Sequence, residues 1–323
     1  MIGEFQPPSI LDAAGPFSHH IEKLWWGYFI VLMSVFGVVM IVLLFALLKR
    51  RPFTPDPDFS LNATTERRAL NIVSGSVVIT TIVLFVFLVS SVITGKAIAT
   101  VDDPKAVHIQ VTGNQWWWDI QYQDSTPARM VRTANEIHVP VGRPVVLQLK
   151  SNDVIHSFWV PNLMGKRDLI PGKNVNSLLF QVDTAGTYRG QCAEFCGYQH
   201  AKMAFFLVAQ SPEDFERWMN DQRRPAADPT DDEAQKGQHL FLTTTCVMCH
   251  QIRGTIAAAS AGPDLTHVAG RLRLASGALS NTPQNLADWI NHAQQIKPGA
   301  KMPSHRLSSG DLNAVVAYLE TLK

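Results

Sequence analysis

Two stretches without a charged residue, 24–48 and 69–95, stand at the front of a chain that is otherwise mixed and polar. With ~1.5 Å of rise per residue, a helix over either is at least as long as the ~30 Å hydrocarbon core of a bilayer is thick. A core helix of a soluble protein would need other elements around it. Two such runs in succession, joined only by a short polar connection, read instead as a transmembrane hairpin. Trp25, Trp26 and Tyr28 open the first run, where an interfacial aromatic belt belongs. The connection carries Lys49, Arg50, Arg51, Arg67 and Arg68 against Asp56, Asp58 and Glu66. The positive-inside rule therefore places it in the cytoplasm and both termini outside, and Pro52, Pro55 and Pro57 keep it extended.

Past residue 96 the period changes. Short apolar or alternating runs at 107–111, 145–149, 158–160, 178–182 and 205–208 are separated by Gly, Pro and Asn-Asp turns, the pattern of a sandwich or small barrel. Ser211 then reads as a helix N-cap, with Pro212 at the first helical position and Glu213 and Asp214 in the first turn. That helix runs to about 222, and residues 223–230 form a linker. Helical patterns follow at 232–242 and 283–292. A last helix opens at Ser308, with Leu312, Val315, Val316 and Leu319 along one face. The expected organisation is an outer segment 1–23 containing Pro7, Pro8, Gly15 and Pro16, a hairpin 24–95, a β domain 96–210, a helix and linker 211–230, and an all-α domain 231–323.

Composition changes this picture in two places. A formal net charge of +1 over 323 residues gives no electrostatic case for a nucleic-acid partner. The four cysteines, Cys192, Cys196, Cys246 and Cys249, lie in the part placed on the oxidising side, where two disulfides would be the ordinary expectation. Their neighbours argue against it.

Cys246-Val247-Met248-Cys249-His250 is a C-x-x-C-H motif. Two thiols at this spacing can form thioethers to both haem vinyl groups while the adjacent imidazole faces the iron. A thioredoxin-like reading would need a βαβ setting, and a zinc knuckle two more ligands nearby. Met302 is the single methionine downstream of Met248 and sits in the irregular stretch Lys297-Pro298-Gly299-Ala300-Lys301-Met302-Pro303. A thioether opposite imidazole raises the reduction potential, as an electron carrier upstream of an oxidant requires. His267, His292 and His305 remain rival axial ligands. With Gly262-Pro263-Asp264-Leu265 following the motif, this segment resembles a class I cytochrome c domain, in which that proline packs by the proximal histidine.

The other pair lies in Cys192-Ala193-Glu194-Phe195-Cys196-Gly197-Tyr198-Gln199-His200-Ala201-Lys202-Met203. Two thiols, an imidazole and a thioether make a soft donor set of the kind copper takes. A mononuclear blue-copper site would use one cysteine; two can bridge two metals, each then needing its own imidazole. His200 supplies one. His156, in Asp153-Val154-Ile155-His156-Ser157-Phe158, is the best candidate for the other, ahead of His108 and His138. A structural zinc on Cys192, Cys196, His200 and His156 is the rival reading, and it leaves Met203 without a role.

This loop closely resembles the binuclear copper (CuA) loop of cytochrome c oxidase subunit II, and the resemblance spans most of residues 20–208. It implies a two-helix anchor followed by a cupredoxin-like all-β Greek-key barrel. It implies Cys192 and Cys196 as bridging ligands, His156 and His200 as terminal ligands, and Met203 and the Glu194 carbonyl as weak axial ligands. It further implies a Glu194 carboxylate turned toward a magnesium ion at the subunit I interface, with Asp168 near the same interface. The run Gly113-Asn114-Gln115-Trp116-Trp117-Trp118 matches the family's electron-input patch, which points to Trp116 and Trp118. The family usually has tyrosine where Trp117 stands, so the input route differs in detail.

By that resemblance the chain is the electron-accepting subunit of a bacterial proton-translocating terminal oxidase. Electrons would reach haem c from cytochrome c or another outer-face donor, pass to the copper pair, and continue to the oxygen-reducing haem-copper site of subunit I, with subunit III as a further partner. Three alternatives stand beside this reading. Nitrous oxide reduction needs a propeller domain for which the chain has no room. A nitric oxide reductase subunit would carry the same copper site. A structural oxidase subunit without copper would have no need of the complete ligand set.

Overall fold

The computed structural model describes residues 5–49, 63–97, 105–172 and 175–323. The basic, proline-bearing connection, including Arg50, Arg51, Pro52, Pro55, Asp56, Pro57 and Asp58, lies outside the described residues. The chain divides into a helical unit, 19–100, and a second unit made of 1–18 and 101–323.

In the helical unit, α1 (Pro16–Leu48) and α2 (Ala63–Ala97) form the two long apolar helices. Both are long and apolar enough to cross a membrane, and neither apolar window is buried in protein. Their side chains point outward, with Leu47 74% and Ile41 70% exposed, the reverse of a soluble core helix. Ser34, Ser76 and Thr81 return their hydroxyls to the carbonyls of Ile30, Ile72 and Val77, so these polar groups are satisfied within their own helices. Tyr28 donates its hydroxyl to the Phe87 carbonyl at 3.0 Å, and the two rings lie 4.2 Å apart.

The β domain contains two sheets. A short N-terminal strand β1 (Phe5–Gln6) pairs in parallel with β10 (Gly186–Cys192). The remaining strands are β2 (Val107–Asn114), β3 (Trp117–Tyr122), β4 (Val131–Ala134), β5 (Glu136–Pro140), β6 (Val145–Ser151), β7 (His156–Trp159), β8 (Arg167–Leu169), β9 (Asn176–Phe180) and β11 (Ala204–Gln210). One sheet runs β5-β11-β10-β7-β8 and the other β4-β3-β2-β6-β9. The parallel pairings β2–β6 and β5–β11 are the long-range returns of a Greek-key fold. Ile109, Val111, Trp118 and Ile120 from one sheet meet Ile137, Phe158, Phe205 and Leu207 from the other. Alternation is clean in β3, where Trp118, Ile120 and Tyr122 are buried and Trp117, Asp119 and Gln121 half-buried. Each apolar run singled out in the sequence lies in or against a strand; β1, β3, β4, β5, β8 and β10 lie outside those runs.

α3 (Pro212–Gln222) starts at Ser211, whose hydroxyl accepts from the Asp214 amide. The C-terminal helices are α4 (Asp232–Thr243), α5 (Pro283–Ile296) and α6 (Ser309–Thr321), with a small hairpin of β12 (Arg273–Leu274) and β13 (Leu279–Ser280) before α5. Asp231, Thr282 and Ser308 cap the three helices through the amides of Ala234, Asn285 and Asp311. α5 continues past a non-helical His292 to Ile296, beyond the expected end at 292. Phe241, Ile252, Leu286, Ile290, Val315 and Tyr318 form the core of this helical part.

Candidate metal and haem sites

The β10–β11 hairpin brings the ends of the 192–203 loop together. The Cys192 amide donates to the Met203 carbonyl at 2.9 Å, and Gln191 pairs with Ala204. On the other side of β10, Cys192 pairs with Phe158 of β7, so His156 arrives beside the loop from 36 residues upstream. His156 needs room that a side chain at 113 would fill: an ideal Cβ on Gly113 would lie 2.7 Å from the His156 Cδ2.

The donors converge in two groups around a common pair. Cys192 Sγ and Cys196 Sγ are 3.8 Å apart and are free thiols rather than a disulfide. His156 Nδ1 lies 3.9 Å from Cys192 Sγ, and His200 Nδ1 3.6 Å from Cys196 Sγ. Met203 Sδ is 3.7 Å from Cys196 Sγ, and the Glu194 carbonyl oxygen 3.2 Å from Cys192 Sγ. All four side chains of the Cys-Met-His156 group are buried. Two metal–thiolate bonds of about 2.3 Å, the length seen with zinc, span up to about 4.6 Å, so both sulfurs can touch one ion. His156, Cys192 and Cys196 lie within 4.8 Å of one another, whereas His200 falls outside that mutual set. Four donors of a single tetrahedral ion would all lie within about 3.3–3.8 Å of one another. The arrangement thus suits two ions sharing two sulfurs better than one zinc.

Electrostatics agree with a cation at this position. The Cys196 thiol hydrogen-bonds to the Cys192 sulfur, which makes the first ionisation of the pair easy, to about 3 at Cys192, and the second hard at Cys196. A bound cation supplies the charge that this second ionisation lacks. Burial disfavours the charged His156 ring, but hydrogen bonds with Cys192 and Asp153 carry its pKa above the ordinary value. Asp153 Oδ1 lies 2.8 Å from His156 Nε2 and fixes the ring with Nδ1 toward the sulfurs. Asp153 had no role in the sequence reading; its spacing of three residues from His156 was the available signal.

Other candidates are occupied elsewhere. His138 has both ring nitrogens engaged, with Glu136 at 3.0 Å and Gln210 at 3.2 Å, and stacks on Trp218. The Glu194 carboxylate is half-exposed, 3.6 Å from Lys166 Nζ. Asp168 sits in β8, where its carbonyl accepts from Asn176. Trp118 is fully buried against Phe205, Phe158 and His156. Trp116 precedes β3 and is 9% exposed; its indole N–H donates to the Cys196 carbonyl at 3.0 Å. Trp117 alone of the three is half-open.

In the C-terminal part, a 3-10 turn (Thr245–Met248) presents Cys246 and Cys249, both free and partly exposed. His250 Nδ1 is 2.8 Å from the Pro263 carbonyl; a carbonyl only accepts, so Nδ1 carries the hydrogen and Nε2 keeps its lone pair. Burial pushes the His250 pKa down, which keeps the ring neutral and able to ligate. An ideal Cβ on Gly262 would lie 2.9 Å from His250 Cε1, so glycine is what lets the Pro263 carbonyl approach. Met302 is half-buried and packs with the helical core. Its loop is stapled by Gln294, whose Nε2 donates to the carbonyls of Ala300 and Met302 at 2.6 Å each and whose Oε1 accepts from Gly299. Gln294 was invisible in the sequence. His267 Nδ1 donates to the Lys323 carbonyl at 2.6 Å and Nε2 faces the Arg253 guanidinium at 3.4 Å, which removes it from the axial rivals. Among the described residues, buried Arg271 Nε and Asp264 Oδ2 have no hydrogen-bond partner, and the Arg271 charge acts on His250, so an anionic group of a haem there would be met by a cation.

The cytochrome c oxidase subunit II periplasmic-domain family matches residues 124–210, and the cytochrome c family matches residues 234–323. The cytochrome c oxidase subunit 2 of Alkalihalophilus pseudofirmus is 33% identical over 301 residues, covering 91% of this chain and 85% of that protein. The subunit 2 of Bacillus subtilis is 32% identical over 229 residues, 68% of this chain and 63% of that protein. A solved periplasmic domain of subunit II of the Bradyrhizobium japonicum cytochrome oxidase shares 29% identity, covers 38% of this chain and 97% of its own, and superposes with a TM-score of 0.36. With a membrane-length hairpin, a two-sheet β domain and a helical C-terminal domain in one chain, and a relative at this identity over most of both lengths, the chain belongs to the cytochrome c oxidase subunit 2 family.

Proposed function

We propose that this chain is the electron-accepting subunit of a bacterial terminal oxidase: it takes electrons at a haem c and delivers them by way of a binuclear copper centre to the oxygen-reducing site of a partner subunit. The observation that carries the reading is the pair of buried thiols 3.8 Å apart with one imidazole beside each, His156 at Cys192 and His200 at Cys196. Cys192 and Cys196 would hold two copper ions between them, His156 and His200 would each ligate one, and Met203 Sδ and the Glu194 carbonyl would add weaker donors. A thiolate-bridged copper pair supplies one-electron transfer with the charge shared between two ions. What the protein contributes is rigidity: Cys192 and Met203 are tied by their backbone bond, His156 by Asp153, and the Cys196 carbonyl by Gln115 and Trp116, so little reorganises when charge arrives.

Cys246 and Cys249 would attach haem c, His250 and Met302 would be its axial ligands, and Arg271 would offer a buried guanidinium to its carboxylates. The Trp116 side chain donates to the copper loop and its ring lies against Gly299 of the C-terminal domain, which supports it as part of the transfer route, while the fully buried Trp118 would act as packing behind His156. The half-exposed Glu194 carboxylate, 3.6 Å from Lys166 Nζ in this chain alone, would be the ligand offered to magnesium at a subunit I contact. The hairpin would anchor the chain in the plasma membrane with both large domains on the outer face; subunit I, subunit III and a soluble cytochrome c are the partners this role requires. The test is electron paramagnetic resonance of the copper-loaded protein with one electron removed from the copper. Hyperfine structure from one electron shared equally by two copper nuclei is expected, and a mononuclear pattern overturns the reading.

A further inference from the structure

Lys297 is 3% exposed and has no carboxylate partner among the described residues. Its Nζ donates to the carbonyl of Trp116 at 2.6 Å and to that of Ala275 at 3.1 Å. The first acceptor belongs to the copper domain and the second to the C-terminal domain, so one ammonium is clamped between the two. Around it the same loop is held at three further points. Gln199 Nε2 donates to the Pro298 carbonyl at 2.8 Å, Lys202 Nζ to the Ile296 carbonyl at the end of α5 at 2.6 Å, and an ideal Cβ on Gly299 would touch the Trp116 ring at 3.5 Å. Gly299 adopts φ +82°, which lets the loop turn flat onto that ring. Five residues after Lys297 the loop carries Met302. On the opposite side, Trp116 hands its indole N–H to the carbonyl of Cys196.

Burying a cation without a counter-charge is costly, and the cost is greatest where its hydrogen bonds are incomplete. The C-terminal domain alone satisfies it only in part: one of its two acceptors is supplied by the other domain. A short chain of contacts, Met302 loop to Lys297 to the Trp116 backbone to the Cys196 carbonyl, joins the two candidate redox sites. We infer that Lys297 is a positioning residue for transfer between the haem and copper domains, seating the Met302 loop on Trp116 and the copper loop so that the fused domain is the resident donor and covers Trp116 against soluble ones. The inference rests on the proposed electron-transfer reading. In the step itself one electron leaves the haem iron, which is oxidised, and reduces the copper centre, and no proton or bond is exchanged.

The test uses the full chain loaded with haem and copper, comparing the native protein with Lys297→Met and Lys297→Arg. A flash of photoreductant delivers one electron to the haem, and its passage to copper is followed in the absorption of both centres. Lys297→Met leaves the two carbonyls without a donor, and transfer is expected to slow at least tenfold, the equivalent of losing about 1.4 kcal/mol. Lys297→Arg should recover most of the rate. Both midpoint potentials should hold, and the melting temperature of the methionine variant should not fall, because a buried charge has been removed. Hydrogen exchange of segment 196–203 should rise in Lys297→Met and return in Lys297→Arg. Transfer in Lys297→Met within twofold of native, or slowing that tracks a lowered melting temperature with no rescue by arginine, overturns the positioning role. Absence of haem-to-copper transfer in the native protein instead overturns the functional reading beneath it.

Discussion

Gly237 sits where α4 and α6 come closest. An alanine Cβ there would lie 1.9 Å from the Ala314 carbonyl oxygen, 2.5 Å from its carbon and 2.9 Å from Tyr318 Cβ. An ordinary contact is about 3.4 Å or more, so the helices must part by roughly 1.5 Å, and the obstacle is backbone that cannot rotate away. Overpacking of this kind costs typically 1–3 kcal/mol, and the rigid neighbour places it at about 3. Alanine returns about 1 kcal/mol of helix propensity, leaving a net loss of about 2. In a domain of this size 1 kcal/mol moves the midpoint by about 4–8 °C, so Gly237→Ala should melt about 8–16 °C below the native protein. Gly310, in the first turn of α6, has nothing within 4 Å of its ideal Cβ, and Gly310→Ala should raise the midpoint by a few degrees. The assay is thermal unfolding of the haem-loaded chain followed at the haem absorption, which reports the C-terminal domain alone. Opposite signs for the two glycines are required. If Gly237→Ala melts at or above native, the close crossing of α4 and α6 is wrong.

The other predictions address the sites. Asp153→Asn removes the carboxylate that orients His156, and copper retention against a chelator titration should weaken by about 10–100-fold. Gln294→Ala frees the Met302 loop; the methionine–iron absorption should diminish while covalent haem attachment persists. Burial pushes the Lys297 ammonium down to about 7, against a weaker upward pull from Cys196, so the folded chain releases this proton before the unfolded one does. Between pH 7 and the ordinary lysine value the unfolded state binds more protons, and stability rises with pH through that window. The melting temperature in that range should climb in the native chain and be flatter in Lys297→Met.

The parts of the molecule that were legible in its sequence are those whose chemistry is local. The C-x-x-C-H motif occupies five consecutive residues and the cysteine loop twelve, so these candidate donors could be named before any fold was known, whereas His156 and Met302 had to be sought at a distance. The apolar hairpin is equally local, since lipid demands an unbroken uncharged run. Caps at Ser211 and Ser308 follow from residues adjacent to the helices they start. The expected end of α5 at 292 was early because His292 interrupts the dihedrals while the helix resumes behind it, and packing of Ile290 and Ala293 on the core holds both halves.

What could not be read is whatever depends on register between distant strands or on two domains meeting. Gly113 looks like one more strand residue until its Cβ is found to collide with His156, a contact fixed by the pairing of β2 with β6 and of β7 with β10. The tryptophan run shows the same limit. Strand alternation required that the three side chains could not all face one core, and Trp117 and Trp118 do alternate. Trp116 escapes the rule by preceding the strand, and it is buried by a domain that begins more than a hundred residues later. Lys297 carries this furthest: a lysine between isoleucine and proline in a loop reads as an ordinary solvated charge, and its buried ammonium is met by the Ala275 carbonyl and by the Trp116 carbonyl, which another domain supplies. Linear sequence encodes ligands well because coordination chemistry restricts residue type; it encodes docking poorly because a backbone carbonyl, the acceptor at nearly every contact of this loop, is the same in every residue.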